Sequence, residues 1–246
     1  MSSTMPQSPS TSSLLLFFSL PLLSSSLALA RRSTPAIYDA LILRMTSSWY
    51  AAVISDLPQN ATVLDIGMGT GTSLLSCLPS IKAKNLAFTG VDITPAYVLA
   101  ATSSFASSSA SSHLTCVHGS VYDSSLLSSL SPPTLFTAVY FSGSIALLPD
   151  PGAALLAVAD VLADGGLVYV TQTFQKNALP GMALAKPLIK HLTTIDFGAM
   201  RYESEILAVY AACGETLELV THGKIEGSVD NFFQAAFLTV LRKRGS

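Results

Sequence analysis

The chain has 246 residues, enough for one sizeable α/β domain with a modest extension. Half of them are hydrophobic and 11% are charged, and 13 Lys and Arg against 15 Asp and Glu leave a formal charge of −2. No domain-wide basic field exists to hold a polyanion, so no nucleic-acid partner is expected. Cys77, Cys116 and Cys213 lack the spacing of a zinc site or a disulfide framework, and no metal is expected.

Residues 1–33 read as an address or an anchor, separate from the domain that occupies 34–246. The apolar run 14–23 (LLLFFSLPLL) is too short for a comfortable membrane span of ~20 residues. It has the length of a signal-peptide core, and Ala28-Leu29-Ala30 matches a small-x-small cleavage pattern. Three readings stay open. The segment is a cleaved signal or organellar peptide, a membrane anchor through residues 14–30 flanked by Arg31-Arg32, or an inert extension of a cytoplasmic protein. The sequon Asn60-Ala61-Thr62 lies directly before a predicted core strand, where a glycan would crowd the chain, which argues against the secretory lumen.

From there strands and helices alternate. Residues 37–55 read as a helix through Ile37, Leu41, Leu43, Trp49 and Val53, and Pro58-Gln59-Asn60 breaks it. The short apolar run 61–66 suits a buried parallel strand, and a helix follows over 72–78. A second strand, 86–91, is closed by Asp92; Pro95 then opens a helix whose Ser-rich tail, 103–112, is expected to fray. Strands follow at 113–118 and 135–141, a helix at 153–162 that stops by Asp164-Gly165-Gly166, and a fifth strand at 167–173. Such alternation implies a parallel sheet covered by helices on both faces. The tail differs, with a helix at 202–212 and strands at 215–221 and 232–241 joined by the loop 223–230. The expected fold is therefore α/β, a doubly wound and mostly parallel seven-stranded sheet with an antiparallel edge hairpin.

The chemistry concentrates in Asp65-Ile66-Gly67-Met68-Gly69-Thr70-Gly71-Thr72. Alternate glycines between a strand and a helix let the backbone turn tightly and approach a ligand closely. Asp92, at the end of the next strand, stands where an acid can accept hydrogen bonds from both ribose hydroxyls. A nicotinamide-dinucleotide fingerprint wants a third glycine where Thr72 stands and has no need of Asp65. That speaks against a nucleotide-cofactor oxidoreductase.

At these residues the chain resembles the class I S-adenosylmethionine-dependent methyltransferases of the small-molecule type, whose first motif is D-x-G-x-G-x-G. The likeness continues through Gly90-Val91-Asp92-Ile93, through Val117-His118-Gly119-Ser120-Val121-Tyr122-Asp123, and through Leu148-Pro149-Asp150-Pro151 to Gly165-Gly166. The resemblance implies S-adenosyl-L-methionine as cofactor. It assigns Asp65 to the methionine ammonium, Gly67, Gly69 and Gly71 to the amino-acid tail, Asp92 to the ribose, and Ile93 and Val121 to the adenine. Ser120 and Phe141 join the expected site, although Ser120 stands where the family often has an Asp, as does Thr137 at the opening of the fourth strand.

The catalytic group stays unassigned. Methyl transfer from a sulfonium is largely a matter of in-line positioning, yet an oxygen or amine acceptor can need a base. His113, His118, His191, His222, Asp150 and Tyr38 are the candidates, with His191 the best placed beyond the fifth strand. Phe141-Ser142-Gly143-Ser144 lacks the Asn-Pro-Pro-Tyr signature of base and amide methylators. A small-molecule or lipid-like acceptor is expected, and a non-catalytic binding protein on the same fold is the alternative.

Overall fold

A computed structural model describes residues 46–131, 135–176, 202–232 and 234–245. The expected address segment 1–33, Tyr38 and His191 lie outside them. Helix α1 is described over 46–56, followed by β1 (Thr62–Ile66), α2 (Thr72–Ser76), α3 (Leu78–Ala83), β2 (Ala87–Asp92) and α4 (Pro95–Ser107). Then come β3 (Leu114–His118), α5 (Ser124–Leu130), β4 (Phe136–Ser142), α6 (Pro151–Asp160), β5 (Leu162–Gln175), α7 (Glu203–Ala212), β6 (Leu217–Lys224) and β7 (Gln234–Lys243). The strands form one seven-stranded sheet in the order β3-β2-β1-β4-β5-β7-β6. β1 to β5 run parallel, and β7 lies antiparallel between β5 and β6.

Side chains alternate across a strand, so each central strand serves two cores. Val63 on β1 and Ala138 and Tyr140 on β4 face α1, α3 and α4, where Val53, Leu57, Ile81, Ala101 and Phe105 are buried. Leu64, Ile66, Val139 and Phe141 face α5 and α6, against Leu127, Leu155 and Val158. Burial on both faces is why these strands read as nearly unbroken apolar runs.

Four local expectations change. The helix expected at 72–78 is two helices, because Pro79 has no N–H to give and its ring obstructs the preceding turn, so the chain restarts at Leu78 after Cys77. The Ser-rich tail stays helical to Ser107, since Phe105 is buried there. α5 was not anticipated; its one sequence signal is Asp123, whose carboxylate accepts from the Leu126 N–H at 3.0 Å as an N-cap. β5 begins at Leu162, which pairs with Phe136, after which Ala138 pairs with Leu167 and residues 163–166 bulge out. Gly165, at φ +72°, makes that bulge possible.

α1 is tied down at both ends of its described length. The Lys84 ammonium donates to the carbonyls of Ile54, Ser55 and Leu57 at 2.7–2.8 Å, placing a cation where the helix dipole is negative. Towards the other end, Trp49 is buried and its indole N–H donates to Ser228 in the β6–β7 connection at 2.9 Å. α1 thus lies over the sheet from the first strand towards the hairpin. No helix among the described residues is long and apolar enough to cross a membrane.

Candidate functional site

β1 pairs with β2 on one side and β4 on the other, so the chain order reverses there. A sheet with such a switch point leaves a crevice beyond the carboxyl ends of those strands, the usual place for a nucleotide-like ligand. Asp65, Gly67, Gly69, Gly71, Asp92, Ile93, Ser120, Val121 and Phe141 all fall at these strand ends or in the loops that follow them.

The glycines do different work. Gly67 adopts φ +74°, and its N–H donates to the Val91 carbonyl at 2.7 Å. A Cβ there would stand 2.5 Å from the Ser144 Cβ, so packing alone forbids a side chain. At Gly71 a Cβ would stand 2.5 Å from the Phe105 ring. Gly69, at φ +63°, has nothing within 4 Å of where its Cβ would be. The middle glycine faces open space, as the floor of a ligand cradle does.

Asp92 is buried and already holds the loop. Its Oδ2 accepts from the Gly69 N–H and its Oδ1 from the Thr94 N–H, each at 2.8 Å. A carboxylate oxygen has a second lone pair, so both oxygens keep capacity for ribose hydroxyls. Asp92→Ala should lower affinity for S-adenosylhomocysteine by about tenfold to a hundredfold, the size expected for hydrogen bonds to a charged group. It should also reduce the melting temperature, because two loop anchors go with it. Calorimetric titration checks the first effect; unchanged affinity in a folded variant would place the ribose elsewhere.

Asp65 is fully buried on β1. The Tyr50 hydroxyl donates to its Oδ2 at 2.6 Å, while Oδ1 has no hydrogen-bond partner among the described residues. Burial pushes its carboxyl from 3.8 up to about 7; the Tyr50 hydrogen bond opposes that rise and the Asp92 charge adds to it. A buried acceptor without a donor is costly, and a ligand ammonium would relieve it. The residues present therefore fit S-adenosyl-L-methionine: an acid with one unpaired oxygen for the ammonium, an acid for the ribose and an open glycine between them.

Sequence reading missed Tyr50. Its ring meets Tyr140 edge-on at 5.0 Å, and the Tyr140 hydroxyl pairs with Thr171 at 2.8 Å. Asp65–Tyr50 and Tyr140–Thr171 are thus two buried hydrogen-bonded pairs whose tyrosine rings meet edge-on. Tyr50 carries no motif, only a place on the apolar face of α1.

The other expected residues divide. Ile93 is 71% exposed, free to lie against a planar ring, whereas Val121 is buried in the core beneath. Ser120 accepts from the Tyr122 N–H at 3.2 Å. Phe141 is a core side chain, which leaves its backbone as the part near the crevice. Thr137 sits at the opposite end of β4, exchanging hydrogen bonds with Thr62.

Of the candidate bases, His113 meets the Leu86 carbonyl at 2.8 Å and His118 the Ile93 carbonyl at 3.1 Å, both at strand ends. Asp150 caps α6, accepting from the Ala153 N–H at 2.9 Å. Among the described candidates, His222 alone belongs to a polar cluster beside a cavity: its Nε2 lies 3.0 Å from Glu203 and its Nδ1 2.7 Å from Thr239.

A family model described as "Methyltransferase domain" matches residues 64–168. Among solved structures, the chain is similar to geranyl diphosphate C-methyltransferase from Streptomyces coelicolor A3(2), determined with S-adenosyl-L-homocysteine. The two are 13% identical with a TM-score of 0.60, over 80% of this chain and 78% of that one. It is similar to an arsenic(III) S-adenosylmethionine methyltransferase from Chlamydomonas reinhardtii at 20% identity and a TM-score of 0.52, covering 80% and 73%. A putative sarcosine dimethylglycine methyltransferase from Galdieria sulphuraria matches at 13% identity and a TM-score of 0.57, covering 82% and 85%. No curated protein matches the chain. At these identities the structures speak for the fold, and the family model speaks for the stretch that carries Asp65, the glycine loop and Asp92. Residues 64–168 thus match a methyltransferase domain, and the sheet that contains them has the fold of the S-adenosylmethionine-dependent methyltransferases.

Proposed function

We propose that the protein methylates a small-molecule or lipid-like acceptor with an apolar body. The observation that carries this reading is an open cavity of about 510 Å³ among the described residues at the carboxyl end of β5. Phe174, Tyr202, Leu207 and Phe237 supply its apolar wall, and Glu203 and Lys176 its charged groups. The volume lies within the range of small-ligand pockets, roughly 300–1,000 Å³, and a few polar groups on an apolar wall is their usual composition. β5 runs parallel to β1 and β4, so its carboxyl end lies on the same edge of the sheet as the glycine loop.

S-Adenosyl-L-methionine supplies an electrophilic methyl group on a sulfonium. The chain's own part is to bind and orient: Asp65 would take the ammonium, Asp92 the ribose, and the backbone at Gly69 the amino-acid tail. The acceptors in the similar proteins' names, geranyl diphosphate, arsenic(III), and sarcosine or dimethylglycine, are all small, which supports the same scale here. The reading of residues 1–33 as an address or anchor rests on sequence and belongs to this proposal.

The test is titration of the full chain with S-adenosylhomocysteine and with NAD. Micromolar binding of the first and a raised melting temperature are expected, since a ligand bound only by the native state stabilises it by mass action. Saturation by NAD with no response to S-adenosylhomocysteine would overturn the assignment. A screen of small metabolites with labelled donor then reads the acceptor; methylation confined to protein or nucleic acid would refute the small acceptor.

A further inference from the structure

The cavity at the end of β5 has a polar feature that apolar packing does not need. Glu203, the first residue of α7, lines the cavity with its side chain 43% exposed. Its Oε1 lies 3.0 Å from Nε2 of His222, a side chain only 11% exposed on β6. The His222 ring stacks on Phe237 at 4.9 Å and 18°, with Phe174 tilted beyond it at 6.4 Å. Its Nδ1 lies 2.7 Å from the hydroxyl of Thr239, which is buried. The imidazole is thus fixed from three sides, and it fixes the carboxylate that faces the cavity.

We propose that this cavity takes an amine-bearing acceptor, with Glu203 binding the amine and His222 positioning Glu203. This rests on the small-acceptor reading above and names the acceptor's class. Two features favour a cation over an anion. A carboxylate stands among the rings of Phe174, Phe237 and Tyr202, whose faces attract ammonium groups. Lys176 turns its ammonium onto Asp230 and the Asn231 carbonyl.

Phenethylamine and phenylacetate serve as probes, a cation and an anion of similar size. Each is titrated into the full chain saturated with S-adenosylhomocysteine, whose own binding is measured first on every variant. The amine should bind at least tenfold more tightly than the acid. Glu203→Gln should erase that preference, Glu203→Asp should restore part of it, and His222→Phe, which keeps the stacking, should reduce it. S-Adenosylhomocysteine affinity should stay unchanged in all three. Equal or tighter binding of phenylacetate, binding of neither at millimolar concentration, or a preference that survives Glu203→Gln would overturn the proposal. Failure of S-adenosylhomocysteine to bind the wild-type chain would instead overturn the methyl-donor reading beneath it.

Discussion

Gly69→Val should abolish detectable S-adenosylhomocysteine binding in a protein that still folds. The wild-type Cβ direction meets no protein atom within 4 Å, so a valine side chain projects into the space the ligand's tail needs rather than into the core. The fold pays only for backbone strain: φ is +63°, a region that costs an L-residue about 1–2 kcal/mol. The ligand loses its seat, and a drop of more than a hundredfold, about 2.8 kcal/mol or more, is expected. Gly69→Ala separates the two effects, since it carries similar strain with a smaller obstruction. Calorimetry should rank the three proteins glycine, alanine, valine in affinity, while their melting temperatures fall by only a few degrees. Normal binding by Gly69→Val would reduce the loop to a structural turn. The same substitution at Gly67 reads differently, because there the intruding side chain would strike Ser144 and the loss would be one of folding.

Asp65→Asn should make the ligand-free protein more stable at pH 8 and bind S-adenosylhomocysteine more weakly. The direction follows from proton linkage. The folded carboxyl titrates near 7 against 3.8 in an unperturbed chain, so between those values the native state binds the proton that the unfolded state releases. Stability is therefore greatest below about pH 4 as far as this group is concerned, and it declines as pH rises through 7. The full displacement of about three pH units corresponds to at most about 4 kcal/mol lost at pH 8. Asparagine keeps an oxygen for the Tyr50 hydroxyl and carries no charge to desolvate. Denaturant unfolding from pH 4 to 8 should show a flatter profile for Asp65→Asn and a crossing with wild type. The affinity loss, at least tenfold, comes from removing the charge opposite the ligand ammonium. A variant less stable than wild type at pH 8 would show that the carboxylate is compensated within the apo protein.

Tyr50 explains why the sequence announced Asp65 but not its surroundings. The acid, the glycine spacing and Asp92 lie within about 30 residues, and local chain geometry dictates what each can do. The hydroxyl that meets Asp65 comes from a helix that the strand pairing brings over β1. Likewise His222 and Glu203 are 19 residues apart, on different elements, and each alone is an ordinary polar residue. Their meeting depends on α7 packing its first turn against the strand that follows it, which no spacing rule encodes. His113 and His118 show the converse. Both are candidate bases by residue type, and both meet backbone carbonyls at strand ends.

By itself the sequence determined the class of fold, the parallel core and the glycine loop between Asp65 and Asp92. Apolar runs closed by Asp65 and Asp92, glycines at alternate positions and a hairpin-like tail are short-range signals, and short-range sterics give them one meaning. Only the tertiary structure decided that β7 inserts between β5 and β6 rather than extending the edge, because strand order is set by which edges remain open when the chain returns. That insertion brings Phe237 and Thr239 beside Phe174 and His222 and so builds the cavity wall. It also decided that Asp65 is buried with one oxygen unpaired, since burial depends on α1 and Tyr50 closing over the strand. Residue type says what a side chain can do; the packing of distant elements sets the dielectric, the partners and the open space in which it does it.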